Sequence, residues 1–306
     1  MTKTSKTVVF FGSGPVAASA LEKLVRNFDV EAVVTKPKPE HHHGDFPVLE
    51  LATKLGLKTL TVTDKKSLSQ LFMSKPVKSD IGIVIDFGII ISQDVIDYFP
   101  LGIINSHFSL LPRWRGADPI TFSILEGDAR TGVSLMVIDA GLDTGKLITQ
   151  KVLKIEANET TPSLTSKLIQ LSDGLLRSYL PKYITGDIRP HNQPHPDRVT
   201  HSRKLTKEDG LIDWGKSAEQ IECEVRAFIE WPKSRTNLAD IEVIITAAHV
   251  DETVNTQQDR KPGEAWIESK QIKVQACDKP LVIDKLKPAG KSEMSAQAFL
   301  AGYKIA

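Results

Sequence analysis

Along the first 190 residues, short apolar runs of strand length alternate with stretches whose apolar positions recur at helical spacing. "TVVFFG" (7–12) is an unbroken apolar run closed by glycine, as expected of a strand buried on both faces. "VAASALEKLVRNF" (16–28) then carries apolar residues at helical spacing. The same alternation predicts strands over 30–35, 58–62, 80–88 and 102–107. Helices are predicted over 48–56, ending at a glycine C-cap, and over 92–99 behind a serine N-cap. "PITFSILEGD" (119–128) predicts a further helix, "TGVSLMVID" (131–139) and "KLITQKVLKI" (146–155) two strands, and 161–186 one long amphipathic helix. Strands separated by helices at short intervals imply a doubly wound, mostly parallel sheet.

After Gly186 the pattern breaks. "DIRPHNQPHPDRVTHSRKLT" has three prolines, three histidines and no apolar period, so 189–205 reads as a linker. A helix at 217–229 follows, then short β-like runs at 242–250, 263–268, 271–277 and 280–288. Runs of that length and spacing suit a small barrel. The expected organisation is therefore a domain over 1–188, the linker, and a second domain over 206–306.

Composition changes this picture little. A chain of 306 residues, 41% apolar and 25% charged, is globular and too long for one ordinary core. A formal net charge of +1 means that any polyanion must be met by local patches. Cys223 and Cys277 lie far apart without metal-ligand spacing and read as reduced core residues of a cytoplasmic protein. No run reaches the roughly 20 apolar residues that a membrane helix needs.

The candidate chemistry is unevenly spread. "GSGPVA" (12–17) matches a dinucleotide fingerprint, but the second strand ends in Thr35 and Lys36 rather than in the acid that would hold a ribose. It reads instead as a tight strand-to-helix turn. Three consecutive side chains cannot converge on one ion, so His41–His43 read as a solvated loop, as do His191, His195 and His201. "NSH" (105–107) is different. Positions i and i+2 of a strand face one side, so Asn105 and His107 project together at the carboxyl end of a parallel strand, where open α/β sheets bind ligands. An amide can stabilise an oxyanion without titrating, and an imidazole can move a proton near neutral pH. Asp143, in "DAGLDTG", could orient that imidazole, but no spacing rule brings it there; locally it reads as a turn aspartate.

"NSHFSLLPRWRGADPI" (105–120) followed by "GLDTG" resembles the folate-dependent formyltransferases. The resemblance continues through "SRKLTKEDGLIDW", "VRAFIEWP" and the tail "LKPAGKSEMSAQAFLAGY", which narrows it to the branch that acts on tRNA. It implies a Rossmann-like formyltransferase domain followed by an OB-like β-barrel. The implied activity is transfer of the formyl group of 10-formyltetrahydrofolate to the α-amine of methionine esterified to initiator tRNA, by a cytoplasmic monomer requiring no metal. Carried over residue by residue, the catalytic group falls on Asn105, His107 and Asp143. The folate site falls on Phe87, Gly88, Ile90, Ser109, Leu110, Leu111, Pro112, Asp139 and Gly141. Lys36, Lys38, Arg113, Arg115, Lys285 and Lys287 are the candidate tRNA contacts. Trp114 reads as packing beneath the Arg113–Arg115 segment. An amino-sugar nucleotide formyltransferase would share the same three catalytic residues, and a noncatalytic tRNA-binding relative would not need them.

Three features depart from that family's pattern. The loop 36–47 is short, with only Lys36 and Lys38 as fixed cations, where the family carries a longer basic segment. "GSGPVA" replaces a Thr-Pro-Glu-Phe-Ala-like turn that shapes the methionine pocket, and Ile89 stands where glutamine is common. Lys273, Lys279, Lys285, Lys287 and Lys291 outnumber Asp278 and Asp284 in the tail, an excess consistent with a nucleic-acid footprint.

Overall fold

A computed structural model describes residues 7–38, 45–238, 241–252 and 260–304. His41–His43 lie outside the described residues. The chain divides into two compact units: 1–119, 130–154 and 165–202 make the first, and 120–129, 155–164 and 203–306 make the second.

The first unit is built on strands β1 (Val8–Phe11), β2 (Val30–Thr35), β3 (Thr59–Thr61), β4 (Gly82–Val84), β5 (Ile103–His107), β7 (Arg130–Val137) and β8 (Leu147–Lys154). Their order across the sheet is β3-β2-β1-β4-β5-β7-β8. The five strands from β3 to β5 run parallel, while β7 is antiparallel to β5 and β8 to β7. The order reverses between β1 and β4, the crossover of a Rossmann-like sheet. Helices α1 (Pro15–Leu24), α2 (Pro47–Lys54), α3 (Lys65–Met73) and α4 (Gln93–Asp97) connect the parallel strands. All four residues of β1 are buried, as the unbroken apolar run requires. Its Phe11 joins Phe72, Phe87 and Phe99 in one aromatic cluster with ring centroids 5.6–5.9 Å apart.

Several predicted elements are shorter or newly revealed, and the two cysteines expected in the core lie outside it, Cys277 exposed and Cys223 only partly buried. The strand expected over 80–88 is a ladder of only three residues, because Asp86 takes a positive φ and turns the chain out of the sheet. Helix α3 was not predicted, although Leu68, Leu71 and Phe72 stand at helical spacing; its start is fixed by a capping box between Asp64 and Ser67. The segment expected to be a linker pairs with the first unit. A short strand β9 (His201–Ser202) runs parallel to β6 (Arg115–Gly116), and His191 bridges Leu147.

Helix α5 (Pro119–Leu125) lies in the second unit from Ile120 onward, and α6 (Thr161–Ile184) has its first residues there. The rest of that unit comprises α7 (Ala218–Ala227), β10 (Ser234–Leu238), β11 (Ile241–Val250), β12 (Ala265–Glu268), β13 (Gln271–Gln275), β14 (Pro280–Pro288), β15 (Met294–Ser295) and α8 (Ala296–Gly302). The strands form an antiparallel sheet ordered β10-β11-β14-β13-β12, with β15 added to β14. Its core joins Ile221 and Val225 of α7 to Val243, Ile272, Leu281 and Leu286 of the strands and Phe299 of α8. Among the described residues no helix is long and apolar enough to cross a membrane.

Candidate active site

Asn105 and His107 end β5 on the same side, with Val84 of β4 paired to Asn105 and Ser134 of β7 paired to His107. Asp143 stands on the loop joining the antiparallel strands β7 and β8, which returns over the carboxyl end of β5. Its Oδ1 accepts a hydrogen bond from Asn105 Nδ2 at 3.2 Å, and its Oδ2 lies 3.7 Å from His107 Nδ1. The backbone N–H of Gly116 donates to Oδ2 at 2.7 Å. These three residues, which sequence spacing alone could not connect, meet at one point.

The imidazole is fixed from both ends. Trp114 O lies 2.8 Å from His107 Nε2 and can only accept, so Nε2 carries a proton and Nδ1 faces the Asp143 carboxylate. His107 is 6% exposed and Asp143 12%, so both groups act in a medium far less polar than water. Asp86, Trp114, Asp118 and Asp143 all have positive φ, and all lie at this edge of the sheet. Left-handed backbone in non-glycine residues costs about 1–3 kcal/mol each and concentrates where function demands it.

The candidate folate residues fall into two groups. Ser109, Leu111 and Pro112 are buried and pinned by hydrogen bonds: Ser134 Oγ donates to Ser109 O and accepts from Leu111 N, and Gln150 Nε2 donates to Leu111 O. Leu110 is half-buried, its methyl 2.6 Å from where a side chain on Gly132 would begin. Phe87 is also committed to packing, its ring edge-on to Phe11. Gly88, Ile90, Asp139 and Gly141 are exposed, and Asp139 Oδ1 accepts from Gly141 N and Thr144 Oγ1. Ile90 and Leu142, on loops that follow β4 and β7, present uncovered apolar surface, 75% and 62% exposed.

Of the candidate tRNA contacts, Arg113 lies over the Trp114 ring at 4.3 Å, and Trp114 is buried as expected. Arg115 is tied down, its guanidinium donating to Gln193 Oε1 at 2.7 Å. Lys36 Nζ is 3.1 Å from the position a Gly88 side chain would occupy, and Lys38 lies 6.0 Å from the Phe46 ring. Lys285 and Lys287 are exposed on β14 in the second unit, with Lys285 3.9 Å from Glu293.

Sequence reasoning missed Asp86. Its carboxyl fills the space that Gly14 leaves: a Cβ on Gly14 would stand 2.1 Å from Oδ2. Asp86 is exposed over a substantial part of its surface, yet crowding of its carboxyl by the protein raises its pKa to about 6, and Asp118 adds to the rise. The Ala17 N–H at the start of α1 and Lys36 oppose it. The signal was present as "DFG" directly after an apolar strand, facing the "GSG" turn across the crossover.

The formyl transferase family model matches residues 5–180, and the model for the formyl transferase C-terminal domain matches 204–304. The methionyl-tRNA formyltransferase of Roseiflexus castenholzii is 35% identical over 307 residues, covering 98% of this chain and 97% of its own. That of Myxococcus xanthus is 35% identical over 304 residues, covering 98% and 96%. Among solved structures, an N-formyltransferase of Helicobacter canadensis, in complex with folinic acid and dTDP-3-aminofucose, superposes with a TM-score of 0.67 at 19% identity over 92% of this chain and 98% of that one. Both folded parts of the chain are matched, and the matches to the relatives run almost end to end with the meeting of Asn105, His107 and Asp143 inside them. The chain therefore belongs to the formyl transferase family, alongside the methionyl-tRNA formyltransferases.

Proposed function

We propose that this protein transfers the formyl group of 10-formyltetrahydrofolate to the α-amine of methionyl initiator tRNA, giving the N-formylmethionyl-tRNA used to start translation. The observation that carries the reading is the convergence of Asn105, His107 and Asp143 from two separate segments onto one shielded point. The folate supplies an activated formyl group; the chain's residues hold it and manage charge and protons.

When an amine adds to the formyl carbon, negative charge develops on the formyl oxygen. Asn105 keeps a second amide N–H after donating to Asp143, and that N–H would receive the oxygen, joined by His107 through Nδ1 whenever that nitrogen carries a proton. A preorganised donor of this kind is worth about 3–4 kcal/mol in the barrier. Asp143 holds Asn105 in place and stands ready to pass a proton through water as the amine loses one and the departing folate nitrogen gains one. Ser109–Pro112 would form the rigid wall of the folate site, with Phe87, Gly88, Ile90, Asp139 and Gly141 at its open side.

The same reading divides the chain into a catalytic domain over 1–188, a connecting segment over 189–205 and a tRNA-binding, OB-like domain over 206–306, acting as a cytoplasmic monomer. Lys36, Lys38, Arg113, Arg115, Lys285 and Lys287 are the cations offered to tRNA phosphates. Incubation with 10-formyltetrahydrofolate and methionylated initiator tRNA is expected to yield formylmethionyl-tRNA. No formylation of that tRNA, with formylation of a nucleotide-linked amino sugar instead, would overturn the proposal.

A further inference from the structure

Gln193 stands in the stretch that sequence pattern reads as a connecting segment, yet its side chain reaches the reactive centre's support. Its Nε2 donates to Asp143 O at 2.7 Å and to Gly145 O at 3.0 Å, spanning the turn that carries the Asp143 carboxylate. Its Oε1 accepts from Arg115 at 2.7 Å. One amide thus ties the Asp143 turn to the 112–116 segment, whose Trp114 O holds His107.

The backbone around Gln193 repeats the arrangement on both sides. His191 exchanges two hydrogen bonds with Leu147 (2.8 and 2.9 Å), anchoring the start of β8 just after the Asp143 turn. Thr200 Oγ1 accepts from Trp114 N, and Thr200 O accepts from Arg115 N, both at 2.9 Å. His201 and Ser202 then continue the ladder along Arg115 and Gly116, and Gly116 N is the donor to Asp143 Oδ2. Residues 191–202 therefore hold backbone groups both on the Asp143 turn and on the 114–116 segment.

We infer that Gln193 is a positioning residue for formyl transfer, acting through the Asp143 turn and Arg115 rather than by touching substrate. The strain at Asp143 (φ +51°) gives the physical reason. A carboxylate presented from left-handed backbone on a mostly exposed loop relaxes unless its carbonyls are tied, and two carbonyls bonded to one side-chain amide cannot move apart. A misplacement of about 1 Å in a reacting constellation costs on the order of a hundredfold in rate.

The inference rests on the formyl-transfer reading, and the test separates the two. Gln193→Met keeps the length and removes all three bonds; Gln193→Glu keeps the acceptor for Arg115 but sets an oxygen against two carbonyl oxygens. Both are expected to lower kcat at least tenfold, with KM for methionyl-tRNA within twofold of the parent. In ¹⁵N spectra of the imidazoles, the His107 Nδ1 signal is expected to move while Nε2, held by Trp114 O, stays. Retention of parental kcat by either variant, a change confined to KM, or unmoved His107 signals would overturn the positioning role. An inactive parent enzyme would count against the formyl-transfer reading alone, since the imidazole spectra need no substrate.

Discussion

Gly145 offers the sharpest test of how the catalytic geometry is held. A Cβ built there would stand 1.8 Å from Val137 O and 2.9 Å from Val137 C, both backbone atoms. Contacts under 3.0 Å do not persist, so Gly145→Ala must open the β7–β8 turn by at least about 1.2 Å. That opening strains the Val137 N–H to Lys146 O bond (2.9 Å) and displaces Gly145 O, one of the two carbonyls bound by Gln193. Asp143, two residues earlier, moves with it. At about a hundredfold in rate for a shift of this size, the barrier rises by about 2.7 kcal/mol. Single-turnover formyl transfer at saturating folate should slow by about two orders of magnitude, with overpacking costing about 1–3 kcal/mol in stability. Gly174→Ala, in α6 with nothing within 4 Å, is the control and should keep full rate. A rate for Gly145→Ala within threefold of the parent would refute the claim that backbone contact at Gly145 sets the position of Asp143.

Three further outcomes follow from the same geometry. His107→Ala should lower kcat by about two to three orders of magnitude in the formyl-transfer assay, and turnover within tenfold of the parent would remove His107 from the chemistry. Asp86, raised from 3.8 to about 6 chiefly by burial, binds a proton in the folded state that the unfolded chain releases in this window, so stability falls as pH rises from about 4 to 6. The full shift corresponds to about 3 kcal/mol, reduced to about 1 kcal/mol by the carboxyl's exposed edge; Asp86→Asn should gain that amount in urea unfolding at pH 7.5 and nothing at pH 4, and equal effects at both would sink the argument. Lys285→Ala and Lys287→Ala should each lower the log–log salt slope of tRNA binding by about one unit, and an unchanged slope would clear that strand of phosphate contact.

The central strands of the parallel half were legible because they are buried on both faces, so unbroken apolar runs such as Val8–Phe11 mark them. Elements whose stability comes from elsewhere were not. Helix α3 is only nine residues long and begins at the Asp64–Ser67 cap, and β10, "SRTNL", is an edge strand whose partner β11 supplies its order. Asn105 and His107 could be found because a strand's alternation is a local rule, and the crevice position follows from the sheet's direction. Asp143 obeys no such rule. It reaches His107 because β7 and β8 turn back antiparallel beside β5, a reversal invisible to composition and supplied only by the family resemblance.

Gln193 is a harder case, since a glutamine in a proline-rich, aperiodic stretch carries no pattern at all. Its importance arises from where two backbone carbonyls of another loop happen to lie, and hydrogen bonds to carbonyls leave no signature in the donor's sequence neighbourhood. What marks the stretch, once the fold is known, is an accounting of backbone groups. The 112–116 segment and the Asp143 turn both leave the regular sheet, so their N–H and C=O groups need partners from outside it. Residues 191–202 supply several of them. A segment that satisfies those groups at a strained site is as much a part of the catalytic apparatus as the residues it holds, and aperiodic stretches between domains are where such partners are most easily overlooked.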